Sequence, residues 1–250
     1  MARIFITGSA GGLGLNAARA LMQQGHDVVL HARNTSRLAD AGAVREQAVG
    51  TVVGDLADVA ETVRVAEQTG EYGPFDAVIH NAGVYSGSGI FSVNTVAPYV
   101  LTALMARPRR VVYISSGMHR SGTPDLEGID WTNAGVRPTA YSDSKLYVTA
   151  LSAAVASRWP DVESNAVDPG WVPTRMGGRS APDDLELGHV TQVWLATRDS
   201  SDSADSAGGR VSGGYWFHQQ RREPHPAVED AAFQAELLEA LERHTGVALG

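Results

Sequence analysis

Short apolar runs alternate with longer stretches of helical periodicity along the whole chain, and this rhythm restricts the fold more than any single motif does. The runs 2–7 (ARIFIT), 26–32 (HDVVLHA), 48–55, 75–82, 109–115 and 162–168 read as strands, with a last short one at 213–217. Helices are predicted over 12–24, 35–47, 58–69, 93–106, 139–158, 184–198 and 227–243. The strands carry Val and Ile on both faces and each is followed by a helix, which argues for a parallel sheet covered on both sides. The prediction is an α/β fold: one doubly wound domain over 1–250 with about seven strands, helices on both faces, and a C-terminal extension at about 218–250. The acidic, serine-rich stretch 198–209 reads as a surface loop rather than a domain boundary.

In such sheets ligands bind outside the carboxyl ends of the strands, and the motifs of this chain fall there. TGSAGGLG (7–14) follows the first strand and opens the first helix. Gly8, Gly12 and Gly14, with Leu13 between them, form a turn tight enough for a pyrophosphate to approach the backbone. The helix start adds free N–H groups and a partial positive charge. The second strand ends LHARN. Ala32 stands where an acid would hold a ribose hydroxyl, and Arg33 follows it, so a 2′-phosphate fits better and NADP(H) is expected over NAD(H). Arg37 reads as a solvated surface arginine.

Asp55 and Leu56 follow the third strand. Asp55 is placed to accept from an adenine amino group or to cap the next helix, and the two roles are compatible. Asn81, Ala82 and Gly83 end the fourth strand with small residues that leave room for a cofactor. Ser115 and Ser116 end the fifth. DPGWVPT (168–174) ends the sixth, with Pro169 and Gly170 turning the chain, Val172 beside them and Thr174 placed to bond a cofactor amide.

TAYSDSK (139–145) sets Tyr141 and Lys145 one helical turn apart, on one face. An ammonium held near a phenol stabilises the phenolate and draws the tyrosine pKa down from about 10. Such a tyrosine can exchange a proton with a substrate.

Composition narrows the alternatives. Net charge is −8, which argues against nucleic acid or an anionic membrane as partner. Cysteine is absent, so thiolate chemistry and disulfides are excluded and a reducing cytoplasm is the suited location. The eight histidines form no ligand pair, so no metal is expected. No apolar run approaches the ~20 residues of a membrane span.

The order TGxxxGxG, NAG, a lone Asn, Ser-Ser, YxxxK and PG resembles the short-chain dehydrogenase/reductase family over nearly the whole chain. SKL after the tyrosine, the HARN strand end and the tail GGYWFHQQRREPHP look like its retinol-dehydrogenase-like branch and bacterial relatives. The resemblance implies a Rossmann fold, a nicotinamide cofactor and an active site at Asn94, Ser116, Tyr141 and Lys145. It implies hydride transfer between a carbonyl (aldehyde or ketone) and an alcohol. Tyr141 would be the acid/base, Ser116 would steady the carbonyl oxygen, Lys145 would lower the Tyr141 pKa and bond the nicotinamide ribose, and Asn94 would position a water.

The alternative is an NADP(H)-binding redox sensor without catalysis, although such sensors usually lack the Tyr or the Lys. Two departures from the family pattern stand out. The stretch between Asn81 and Asn94 is short, and 118–138 is an insertion expected to border the substrate site. The loop from Gly170 to about His189 would cover the substrate, either as a mobile lid or as an ordered loop. Trp171, Met176, Tyr85, Met118 and His119 suggest an apolar, partly aromatic pocket. The partner is thus a small carbonyl or alcohol, with a homo-oligomer or a monomer both open.

Overall fold

The computed structural model describes residues 1–133, 137–198 and 210–250. Most of the acidic loop at 198–209 and part of the insertion therefore lie outside the described residues. Eight strands form one sheet: β1 (Arg3–Ile6), β2 (Asp27–Ala32), β3 (Gly50–Val53), β4 (Ala77–His80), β5 (Arg110–Ile114), β6 (Glu163–Asp168), β7 (Tyr215–Phe217) and β8 (Gln220–Arg222). Their order is β3-β2-β1-β4-β5-β6-β7-β8. All pairs are parallel except β7 with β8. The order reverses between β1 and β4, which opens a crevice at their carboxyl ends.

Strands β4 and β5 are buried at every residue. Their Val and Ile runs need cover on both faces, and helices supply it. On one side α1 (Gly12–Gln23) and α7 (Val190–Thr197) pack over Ile4, Ile6, Leu30 and Ile79. On the other, α4 (Val59–Thr69) covers Phe5, Val29 and Val78. The same side carries α5 (Ala97–Leu104), α6 (Ala140–Arg158) and α8 (Ala231–Thr245). Helix α6 is buried nearly all round, because β5, β6 and α8 enclose it.

Four expectations need correction. The helix predicted over 35–47 is two short ones, α2 (Thr35–Ala39) and α3 (Ala43–Gln47), separated by a turn through Gly42. The helix predicted from 184 starts only at Val190; residues 184–188 form turns, with Asp184 Oδ1 accepting from Glu186 N at 2.9 Å. The final helix starts at Ala231, where the Asp230 carboxylate caps Ala232 N–H and Phe233 N–H. The sheet has an eighth strand: β8 is fully exposed, polar and antiparallel, so no apolar alternation announces it. Its turn rests on His218 and Gln219 at φ 48° and 59°, a backbone that favours Gly or Asn and that His-Gln does not signal.

The insertion, expected to border the substrate site, also feeds the core. Leu126 and Trp131 are buried, and Trp131 lies against Phe91, Tyr147 and His244. The C-terminus closes over α5 and α6: Tyr99 OH donates to the Val247 carbonyl at 2.7 Å, and Trp159 Nε1 donates to that of Gly250. Among the described residues no helix is long and apolar enough to cross a membrane, and no group of three or more His, Asp or Glu is set to hold a metal.

Candidate active site and cofactor cradle

The turn after β1 is built for close approach. Gly8 sits at φ +64°, and a Cβ there would lie 2.9 Å from the Ala82 Cα. A Cβ on Gly14 would lie 2.4 Å from Asn81 Nδ2. Asn81 explains the contact: its amide donates to the Thr7 carbonyl at 3.0 Å and to that of Gly8 at 3.3 Å. Thr7 Oγ1 in turn accepts from Ala82 N at 3.0 Å. Asn81 and Ala82 thus fasten the end of β4 to the glycine-rich turn. Helix α1 opens at Gly11 with no side-chain cap and no acid in its first turn. Its first N–H groups remain free for an anion.

A residue that no sequence signal singled out holds the cradle together. His31 is buried; its Nδ1 accepts from Gly8 N at 3.0 Å and its Nε2 donates to the Gly54 carbonyl at 3.0 Å. An amide can only donate and a carbonyl only accept, so the ring is neutral with its proton on Nε2. Burial holds its pKa down at about 4. One imidazole therefore joins the turns after β1 and β3.

Arg33 is exposed and has no hydrogen bond or ion pair among the described residues. Arg37, expected to be a solvated surface residue, pairs with Asp40 at 2.6 Å and brings Nη2 to 3.9 Å from the place a Gly11 Cβ would take. Two guanidinium groups thus flank the carboxyl end of β2. Asp55 does not cap α4; Asp58 does, accepting from Glu61 N at 2.8 Å. Asp55 instead accepts from Ala57 N at 3.0 Å, and Leu56 is buried.

Thr174 packs beside Gly12, its side chain 3.8 Å from where a Cβ would be. Val172 and Leu13 close on Gly188, which has no side chain to obstruct them. The loop that carries these residues after Pro169 ties itself together. Trp171 N donates to Asp183 Oδ2 at 2.6 Å, Trp171 Nε1 to the Gly177 carbonyl at 2.9 Å, and Gly177 N to Thr174 Oγ1 at 3.2 Å.

At the ends of β4, β5 and α6 the four implied active-site residues come together. Ser115 turns away, its Oγ 2.6 Å from Thr149 Oγ1 in α6. The Ser116 side chain faces the Tyr141 phenol and acts to lower its pKa. Lys145 is buried, donates to the Ile114 carbonyl at 2.8 Å, and lies 5.7 Å from the centroid of the Tyr141 ring. Asn94 lies in a π-helical stretch, Ser92–Val96, a distortion frequent at functional sites. Its Oδ1 accepts from Val84 N at 2.8 Å, while its Nδ2 donates to the Val84 carbonyl at 2.9 Å and to Ser144 Oγ at 3.0 Å. Gly83 separates Asn94 Oδ1 from Lys145 Nζ; a Cβ there would lie 3.4 Å and 3.5 Å from the two atoms.

The electrostatics differ from the sequence expectation. Burial raises the Tyr141 pKa above its ordinary value, and the Ser116 hydrogen bond only partly opposes it. The ammonium is directed at the Ile114 carbonyl instead of at the phenol. Burial also pulls the Lys145 pKa down to about 8, against the attraction of Asp168. A residue that sequence reasoning passed over, Asp168 at the end of β6, accepts from Tyr215 OH at 3.0 Å and from Gly170 N at 3.0 Å.

Residues 2–123 match the family model described as short chain dehydrogenase. The chain is 37% identical to a short-chain dehydrogenase of Gibberella zeae, over all of this chain and 99% of that one. It is 38% identical to one of Penicillium rubens over the same shares. The fold is shared with a short chain dehydrogenase of Shigella flexneri solved with NADP: TM-score 0.67, 21% identity, 88% of this chain and 97% of that one. This chain belongs to the short-chain dehydrogenase/reductase family of nicotinamide-dependent oxidoreductases.

Proposed function

We propose that the protein interconverts a carbonyl and an alcohol with NADP(H), using Tyr141 as acid and base. The observation that carries this is the placement of a half-buried phenol, facing Ser116 and backed by Lys145, at the carboxyl edge of the sheet beside an uncapped helix start. The cradle suits a dinucleotide: glycines leave no Cβ in the turn, free N–H groups suit a pyrophosphate, and Arg33 with Arg37 suits a 2′-phosphate. The nicotinamide, when bound, supplies or takes the hydride. In the reducing direction Ser116 steadies the carbonyl oxygen, and Tyr141 donates the proton that oxygen needs as charge builds on it. Lys145 keeps positive charge beside the phenol. Asn94 holds the Gly83–Val84 backbone against α6, and so shapes the wall next to Lys145.

The substrate reading rests on exposed apolar residues. Tyr85, Met118, Trp171, Met176 and Leu187 are all more than two-fifths exposed and come from the loops that follow β4, β5 and β6, whereas His119, expected in the same pocket, is buried. The Tyr85 ring lies 4.7 Å from that of Tyr141. An aldehyde or ketone with an apolar, flat body fits such a mouth.

The test is NADPH consumption against a panel of apolar aldehydes and ketones, with NADH as control and Tyr141→Phe beside the wild type. Turnover lost by at least about 10²–10³-fold in the variant, with NADPH binding intact, is expected. Equal turnover in Tyr141→Phe would sink the proposal.

A further inference from the structure

The serine that faces Tyr141 is held from behind. Ser116 opens a tight 3-10 turn, Gly117–Ser121, and its Oγ accepts from Met118 N at 3.2 Å, a bond that does not use the hydroxyl proton. His119 in this turn is buried. Its Nδ1 lies 2.8 Å from the Ser116 carbonyl oxygen, and its Nε2 lies 3.1 Å from the backbone nitrogen of His225. The carbonyl can only accept and the amide can only donate, so the ring is neutral with its proton on Nδ1. Its ring lies tilted against that of Tyr215, centroids 4.4 Å apart, and Tyr215 bonds Asp168. The next residue, Arg120, donates to the Glu223 carbonyl and lies over the same Tyr215 ring. The tail from 215 to 225 is thus fastened to the serine turn at three places.

We propose that His119 is the positioning residue of Ser116. Its Nδ1–H fixes the serine backbone so that the hydroxyl meets the Tyr141 phenol, and its Nε2 couples that placement to the C-terminal tail. The proposal rests on the roles given above to Ser116 and Tyr141.

Two amide side chains separate the two halves of the ring. His119→Asn keeps a donor where Nδ1 lies and loses the Nε2 contact. His119→Gln reaches the Nε2 place and loses the Nδ1 donor. His119→Asn is expected to keep kcat within a few-fold of wild type, while His119→Gln loses about 10²-fold, the scale of a small misplacement in an active site. KM for NADPH should stay unchanged in both, since the cradle is built from β1, β2 and α1. In a Ser116→Ala background the His119→Gln change should cost nothing further.

A second readout needs no substrate. The Tyr141 phenol is titrated by alkaline difference absorbance against Tyr141→Phe. Ser116 favours the phenolate, so the titration should move up in His119→Gln and stay in place in His119→Asn. If the wild type turns over no carbonyl, the reaction assigned above falls, and this titration still judges His119.

Equal behaviour of the Asn and Gln variants in kcat and in titration overturns the proposal. So does a full further loss from His119→Gln in the Ser116→Ala background. Thermal melts check each variant. If His119→Gln is too unstable to assay, a large kcat loss in folded His119→Asn overturns the proposal as well.

Discussion

Mild acid should destabilise this protein well above the pH at which its carboxylates titrate, because it buries neutral imidazoles. His80 in β4 is enclosed, with Nε2 3.0 Å from Thr102 Oγ1 and no partner for Nδ1 among the described residues. Burial lowers its pKa to about 3, and that of His31 to about 4. An imidazole in the unfolded chain keeps its ordinary value of about 6.5. The folded value is the lower one, so the unfolded chain takes up the proton first as pH falls. The contribution is complete above pH 6.5 and is lost below it, at about 1.4 kcal/mol per pH unit for each ring, until the folded ring itself protonates. Between pH 7 and pH 5 each of the two rings should therefore cost about 2 kcal/mol. Whether the folded value is 3 or 4 hardly matters, since pH 5 lies above both. Together they remove about 4 kcal/mol from a total that for a domain is typically about 5–15 kcal/mol. The assay is urea unfolding followed by tryptophan fluorescence at pH 7 and pH 5, on wild type and His80→Leu. Whatever its stability at pH 7, the variant should lose about 2 kcal/mol less than the wild type across the interval. Equal losses in the two proteins would refute the reasoning.

The cofactor assignment predicts that Arg33→Ala raises KM for NADPH by about 10-fold or more and leaves KM for NADH unchanged, measured by initial rates with each cofactor. Carbonyl reduction should decline as pH rises through about 8, where the buried Lys145 gives up its proton; a rate flat from pH 7 to pH 9.5 would count against a charged Lys145. Helices α5 and α6 are covered by this chain's own α8 and C-terminal residues, so light scattering after size exclusion should give the mass of one chain. Deleting 231–250 should expose Tyr99, Tyr147 and Trp159 and lead to association or unfolding in the same measurement.

The sheet was legible because β4 and β5 are apolar on both faces, and a run with that property has one environment open to it. Strand β8 was not, because Gln220, Arg221 and Arg222 bury nothing and owe their pairing to a turn with unusual residues. Among the site residues, Tyr141 and Lys145 could be seen because i, i+4 spacing is a local fact that a sequence carries. The state of the phenol could not: it is set first by burial, which the fold decides, while the ammonium that would oppose it is directed at the Ile114 carbonyl on another element.

The bonding roles of His31 and His119 were illegible for a related reason. A histidine in a strand or a tight turn is an ordinary residue until both ring nitrogens are accounted for, and their partners lie 23 residues away on either side for His31, and 3 and 106 residues away for His119. Both rings do the same kind of work. Each accepts from one backbone amide and donates to one carbonyl, so each joins two loops that secondary structure leaves unpaired, at the cradle in one case and at the serine in the other. A lysine has no acceptor and a carboxylate no donor, so neither could make both bonds. A neutral imidazole can, at the cost of titrating near neutrality once it is exposed. The acid sensitivity argued above and the alignment of the site are in that sense two consequences of one choice of residue.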